Sequence, residues 1–487
     1  MDSKILLGRK EELRQLKDFL TQKKSGLVYV RGRRRVGKSA LLTKLQETTP
    51  GAFYFFGTPD STTLGLMNQF ADHWDQFTGQ VKLTELKKLS WIRIFSEVTE
   101  YAKRAKNPLV LIFDEIQWIA KTKSGFVGSV KQAWQDWEHL PIKVIICGSS
   151  NKFFIKKADG EETILRGLKT RADIWIPPFS LTEVREYYFS RWKNEEIALT
   201  YMMLGGIPYY LNQIKEAEQG FIHSMNNAVF TSGTIFLEEV DEVLRLEFNQ
   251  QSLKTVKKIL GSLGQDGKSQ ADVQKATGLP LTTVARTLDN LSDYGIAFMK
   301  TVAHREKQNE SGIRYYLKDF YLNFYFQVLE QFKSRILGNT SNGLLFPQVF
   351  ENRNHGYYVP GFSGKAFELL VRTLLEKKTP PLMQIHSILA LRDGEFDVLD
   401  YWDKGTQIDL LVEHQKDRIS RVLECKWIGQ ENNELFKYLQ EVLSKKYEPP
   451  KSYAVKYFLV LSRKPSDALV KKAKEQGVGV IGLEDLF

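Results

Sequence analysis

Few folds can accommodate the segment from Leu27 to Leu45. A short run of β-branched and aromatic residues at 27–31 leads into Gly32, Gly37, Lys38 and Ser39, spaced as G-x-x-x-x-G-K-[ST], and helix-forming residues follow from Ala40. Strand, loop and helix in that order set a bare backbone turn at a helix N-terminus, where unpaired N–H groups and the helix dipole attract phosphate. Glycines let the turn close around phosphate oxygens. The expected contacts to ATP come from Gly32, Arg35, Val36, Gly37, Lys38, Ser39 and Ala40. Lys38 would reach the β and γ phosphates, and the Ser39 hydroxyl would ligate magnesium.

Downstream, an apolar run at 109–113 reads as a buried strand ending in Asp114 and Glu115. Asp114 can hold magnesium through water, and Glu115 can take a proton from the water that attacks the γ phosphate. A second buried run at 144–147 ends in Ser149, Ser150 and Asn151, any of which could sense that phosphate; a Ser-rich turn explains the same letters. Arg166 and Arg171 stand before a further strand as candidate arginine fingers.

At 487 residues the chain should divide into about three domains. Its net charge of +11 points to a polyanionic partner or simply to a basic surface; if that partner is nucleic acid, DNA is expected before RNA. Cys147 and Cys425 lie in apolar runs and read as buried free thiols of a reducing compartment. No run approaches a membrane span, and the charged start MDSKILLGRKEELR fits no signal peptide, so a cytoplasmic protein free of membrane is expected; a homo-oligomer is compatible with the sequence.

From 181 the pattern becomes helical. SLTEVREYYFSRW reads as a capped helix starting at Ser180 or Thr182 with Glu183 in its first turn, and Gly205, Gly206 and Pro208 then interrupt a helix with tight, bare backbone. That is the pattern of a helical lid over a nucleotide, or of a plain helix corner.

LGRKEEL, VYVRGRRRVGKSALL, VLIFDEIQW, ICGSS and LGGIPYYL, in that order, resemble the archaeal-type ATPase family of the STAND branch of AAA+-like P-loop proteins. The resemblance implies ATP binding and hydrolysis under a helical lid, with Pro208 near the base. Gly8 and Arg9 match the GR-x-x-E-L box that lies near the adenine in many AAA+-related ATPases, although an ordinary amphipathic helix accounts for that stretch as well. Family members commonly carry Arg directly after the glycine where this chain has Gly167 and Leu168, which weakens a finger role for Arg166 or Arg171.

Three helices followed by two strands suggest a winged helix at 250–335, with a turn at 277–280 and TVARTLDNL as recognition helix. Thr282, Thr283 and Arg286 would face phosphates or base edges, whereas in STAND proteins such a unit often packs on the ATPase as a brake. YYLKDFYLNFYF also resembles the same family. A linker-like stretch, GNTSNG and then NRNHGYYVPGFSG, precedes the last domain.

There, Glu368 sits on a predicted helix, Asp409 at the end of one strand, and Glu424 and Lys426 two apart on the next, sharing a face. Asp409 and Glu424 can hold a divalent metal, magnesium or manganese in preference to zinc. Glu368 can complete that site, and Lys426 can orient or deprotonate the attacking water. This pattern resembles the PD-(D/E)XK nuclease superfamily, and its fusion to such an ATPase is similar to the C-terminal domain of unknown function found in that archaeal-type family. The expected architecture is α/β: a P-loop αβα sandwich (1–180), helical lid (181–249), winged helix (250–335) and restriction-endonuclease-like domain (345–487). Two functions fit: an ATP-regulated nuclease, or a non-cutting ATP switch that binds DNA or a protein partner.

Overall fold

A computed structural model describes residues 6–59, 61–120, 124–149, 170–248, 250–263, 267–301, 303, 313–339, 343–352, 356–377, 384–391, 395–403, 406–427, 441, 444, 447 and 449–487. It divides into two compact units, Met1–Pro178 and Phe179–Phe487.

In the first unit α1 (Lys10–Thr21) leads to β1 (Gly26–Arg31), α2 (Lys38–Glu47) and β2 (Ala52–Phe56). Then come α3 (Thr63–Thr78), α4 (Trp91–Arg104), β3 (Leu109–Asp114), α5 (Ile116–Ile119), α6 (Phe126–Trp137), β4 (Ile142–Gly148) and β5 (Thr170–Trp175). The five strands form one parallel sheet in the order β2-β3-β4-β1-β5. Because side chains alternate across a strand, each strand feeds two layers. Phe53, Phe55, Leu111, Phe113, Val144 and Ile146 join an aromatic core with Phe70, Trp74 and Phe95 of α3 and α4. The intervening residues, Tyr54, Asp114 and Cys147 among them, belong to the opposite face. Fully burying each such aromatic contributes roughly 2–3 kcal/mol, so this layer fixes the sheet's register and with it the residues on the other face.

The second unit opens with five helices, α7 (Leu181–Tyr187), α8 (Asn194–Leu204), α9 (Pro208–Leu211), α10 (Phe221–Val229) and α11 (Glu239–Glu247). Ser180 caps α7 as a capping box: its Oγ accepts from Glu183 N at 3.2 Å, and Glu183 Oε2 accepts from Ser180 N at 2.8 Å. Pro208 is the first residue of α9. Before it Gly206 lies so close to Phe179 that a Cβ would stand 1.9 Å from the Phe179 carbonyl oxygen, so the bare backbone foreseen there is a packing requirement.

The three-helix unit follows as α12 (Leu253–Leu263), α13 (Gln270–Thr277) and α14 (Leu281–Asp293), and the wing as the hairpin β6 (Ala297–Thr301) and β7 (Ile313–Leu317). Thr282 and Arg286 are exposed near the start of α14, and Thr283 is half-buried. Helices α15 (Phe320–Phe324), α16 (Glu330–Leu337) and α17 (Leu345–Phe350) lead on, through the short pair β8 (Glu351–Asn352) and β9 (Gly356–Tyr357), to α18 (Ser363–Leu375) and α19 (Gln384–Ile388). The segment between the two linker-like runs is anchored: Leu345 N and Phe346 N both donate to Asn226 Oδ1 of α10, at 2.7 and 3.1 Å, and Phe346 packs edge-on against Phe221. The sequence hid this because the glycines and asparagines around α17 mask a buried phenylalanine pair.

The last sheet is mixed, in the order β10 (Phe396–Asp403), β11 (Thr406–His414), β12 (Ile419–Lys426), β13 (Ala454–Leu461) and β14 (Val478–Ile481), with α20 (Asp467–Glu475) before its final strand. The first three strands pair antiparallel and the last three parallel. The β6–β7 hairpin docks on this sheet. Ala303 N donates to Asp400 O at 2.9 Å, Arg314 stacks over Trp402 at 4.8 Å, and the Asp400 carboxylate receives both Lys300 and Arg372, each at 2.7 Å. Burial, and then the Arg372 charge, lower the Lys300 ammonium below its ordinary value.

One carboxylate thus serves two buried cations, while Glu376 reaches Arg372 only at 3.6 Å from the solvent edge. Asp400→Asn should therefore cost about 3–5 kcal/mol in thermal or denaturant unfolding, because it strands both cations. Lys300→Met should cost clearly less, since it leaves a matched Asp400–Arg372 pair.

Candidate active sites

The parallel sheet brings the carboxyl ends of β1, β3 and β4 to one edge. After β1 the chain turns at Gly32, where φ is 159° and a Cβ would stand 2.4 Å from the Ile176 carbonyl oxygen. It passes Arg35 and Gly37 with φ of 71° and 94° and enters α2 at Lys38. A Cβ built at Gly37 meets no atom of the described residues within 4 Å, so the space beside that glycine is open. Lys38 is buried and folds back into the turn, its Nζ donating to Gly32 O at 2.9 Å and Arg33 O at 3.0 Å. Burial lowers its pKa, against the opposing pull of Cys147, Glu115 and Asp114. Val36 is buried, and Ala40 exposed on the first turn of α2.

Arg9 supports this turn from beneath. It is buried, with left-handed backbone (φ 57°) after Gly8 (φ 61°), and it donates from Nη2 to Val36 O at 3.0 Å and from Nη1 to Glu12 at 3.2 Å. The shown contact of the GR-x-x-E-L box is therefore with the phosphate turn itself. Pro208, expected near the base, lies in the second unit. Ser150, Asn151, Arg166, Gly167 and Leu168 lie outside the described residues, as does the Arg171 side chain.

Asp114 ends β3 fully buried. Its Oδ1 accepts from Glu115 N at 2.8 Å and its Oδ2 from the Tyr54 hydroxyl at 2.7 Å. The Cys147 thiol lies beside Asp114, and Ser39 beside Tyr54. Burial, then the Asp114 charge, push the Tyr54 phenol well up, so it remains a donor. Strand alternation explains why Tyr54 and Asp114 meet, but a lone aromatic in an aromatic strand gave no functional signal. Ser39 and Asp114 offer hard oxygen donors, chemistry that fits magnesium.

Glu115 follows in left-handed backbone, φ 51° and ψ 47°. Burial, and then Asp114, raise its pKa. Its Oε2 accepts from Gln117 Nε2, and that nitrogen lies 3.4 Å from Ser149 Oγ beyond β4.

In the second unit α18 carries Glu368, β11 carries Asp409 as its fourth residue rather than at a strand end, and β12 carries Glu424 and Lys426. The sheet does gather them. Asp409 Oδ2 accepts from Cys425 N at 2.9 Å, and burial together with the charges of Glu368 and Glu424 pushes its carboxyl up to about 7. Lysines already serve the other two acids: Lys365 Nζ meets Glu368 at 2.9 Å, and Lys426 Nζ meets Glu424 at 2.8 Å and Glu441 at 3.5 Å. Among the described residues no group of three His, Cys, Asp or Glu side chains is arranged to hold a metal ion. Oxygen donors of this kind fit magnesium or manganese chemically, through Asp409 and Glu424. Burial disfavours the charged form of Lys426, but Glu424 outweighs it and the net shift is upward. Lys426 thus keeps its charge beside Glu424.

No described helix is long and apolar enough to cross a membrane. Residues 6–214 match the family model described as an ATPase domain predominantly from Archaea, which supports a P-loop ATPase family, and residues 325–437 match archaeal and bacterial proteins of unknown function. An uncharacterised protein of Methanocaldococcus jannaschii is 23% identical over 463 residues, 94% of this chain and 96% of that one. Among solved structures, the ORC2 protein of Aeropyrum pernix, in ADPNP and ADP complexes, aligns at 11% identity over 69% of this chain and 95% of its own, with a TM-score of 0.46. A signal transduction ATPase with numerous domains from Pyrococcus horikoshii, which carries a tetratricopeptide repeat sensor, aligns at 16% identity over 80% of this chain and 48% of its own, with a TM-score of 0.29.

Gly32→Ala should cost about 2 kcal/mol or more in unfolding, through the clash with Ile176. Asp409→Asn should raise the Tm of the metal-free protein, since it removes one of three crowded carboxylates while keeping an acceptor for Cys425 N; a lowered Tm would contradict that crowding.

Proposed function

We propose that the chain binds and hydrolyses ATP at the 32–39 turn and couples nucleotide state to a metal-dependent nuclease-like domain at 345–487 acting on nucleic acid, DNA in preference to RNA. The observation that carries it is the buried Lys38 ammonium curled inside an open glycine turn, with Asp114 and Glu115 at the end of a strand of the same sheet. The match of residues 6–214 to an ATPase domain supports the reading. The helices of 181–249 serve as the lid and 250–335 as the winged helix.

In this reading the backbone N–H groups of the turn and Lys38 would hold the β and γ phosphates, and Ser39 and Asp114 would hold magnesium. Bound magnesium, or manganese at the second site, supplies positive charge against the phosphate oxygens. Glu115, raised by burial, is poised to accept a proton from water. The water oxygen bonds to the γ phosphorus as the bond to the β,γ-bridging oxygen breaks, ADP and phosphate form, and the water's proton leaves on Glu115. Ser149, beyond the neighbouring strand, would register the γ phosphate. In the C-terminal domain Asp409 and Glu424 would hold the metal, Glu368 would complete the site, and charged Lys426 would orient the attacking water.

The lysine pairs on Glu368 and Glu424 favour a second reading, a non-cutting ATP switch that binds DNA or a protein partner.

Lys38→Ala should abolish binding of a fluorescent ATP analogue, while Glu115→Gln should bind it normally and release phosphate at least about a hundredfold more slowly than wild type. Equal turnover by Glu115→Gln would remove Glu115 from its role. Incubated with plasmid and manganese, wild type should nick, and Glu424→Ala and Lys426→Ala should not. Gel shifts without cleavage, with or without ATP, would select the switch.

A further inference from the structure

Between the acid after β3 and the serine after β4 stands one residue that neither the phosphate turn nor the acidic pair accounts for. Gln117, on α5, donates from Nε2 to the Glu115 carboxylate, and the same nitrogen lies 3.4 Å from Ser149 Oγ. Its Oε1 is buried and has no hydrogen-bond partner among the described residues. Burying an amide oxygen unsatisfied costs about 1–3 kcal/mol, and a methionine of similar shape would fill the same space without that loss. The fold alone therefore gives no reason for an amide at 117. What the amide does achieve is to join two groups from different strands that are expected to meet the same phosphate.

Glu115 needs such a tether. It sits in left-handed backbone, unusual for a residue with a Cβ, directly beside the buried charge of Asp114. Nothing in its own backbone geometry decides where its carboxylate rests. The Gln117 amide supplies that decision and ties it to the serine.

We propose that Gln117 is a positioning residue for ATP hydrolysis: its amide holds the Glu115 carboxylate and links it to Ser149, so that contact of Ser149 with the γ phosphate sets the placement of the acid. The inference rests on the reading of this edge of the sheet as an ATP-hydrolysing site. It adds a residue that acts through Glu115 rather than on the nucleotide.

The test uses the full chain. Wild type, Gln117→Met, Ser149→Ala and the double variant are compared for phosphate release and for affinity toward a fluorescent ATP analogue, with Glu115→Gln as reference. Gln117→Met should lower kcat by about tenfold or more while KM and analogue affinity stay within about twofold, because the residue acts on the base and not on binding. Its Tm should match or exceed that of wild type, since the orphaned oxygen is gone. Because one amide joins the two groups, the double variant should be no slower than the slower single variant, whereas independent roles would multiply. Should Gln117→Met fold poorly, Gln117→Leu gives the same comparison. Wild-type kcat in the folded variants, or multiplying effects in the double, would overturn the inference while leaving the ATPase reading intact. A wild type that neither binds nor turns over ATP would bring down both.

Discussion

A parallel sheet delivers the carboxyl end of every strand to one edge, and that constraint organises the first unit. With the order β2-β3-β4-β1-β5, β4 lies between the strand that feeds the phosphate turn and the strand that ends in Asp114. The turn, the acids and Ser149 are thereby brought to one edge by register rather than by any contact among themselves. The aromatic layer on the opposite face holds that register. Its Phe53, Phe55 and Phe113 alternate with Tyr54 and Asp114, so the packing that stabilises the sheet also dictates which side chains face the site.

Much of this was legible in the letters, because the physics there is local. A left-handed glycine before a helix, a lysine at the helix start and two acids closing an apolar run are each a short-range demand. The Ser180 capping box and the Gly205–Gly206–Pro208 break were readable for the same reason. Tyr54 and Gln117 were not. Their roles depend on which strand lies beside which, and no spacing within the chain encodes that neighbourhood. Arg9 shows a middle case: its motif was visible, but its partner, the Val36 carbonyl, was not.

In the second unit the gathering of Glu368, Asp409, Glu424 and Lys426 followed from helix and strand periodicity, and the rise of the Asp409 carboxyl to about 7 reflects their crowding. The pairing of Lys365 and Lys426 with the acids was not readable, nor was the docking of the wing on β10 through Lys300, Asp400 and Arg372. Beside the expected roles of the 250–335 unit, DNA reader or brake on the ATPase, the packing adds another: the β6–β7 hairpin supports the C-terminal sheet. Thr282 and Arg286, on the helix expected to read DNA, stay exposed, so this docking leaves them accessible.

The account depends most on the open glycine turn accepting a triphosphate against the Lys38 ammonium. Calorimetric titration of folded full-length protein with ATP and magnesium tests it most directly. A saturable isotherm with one nucleotide per chain is the expected result. A flat titration from protein that unfolds cooperatively would contradict it.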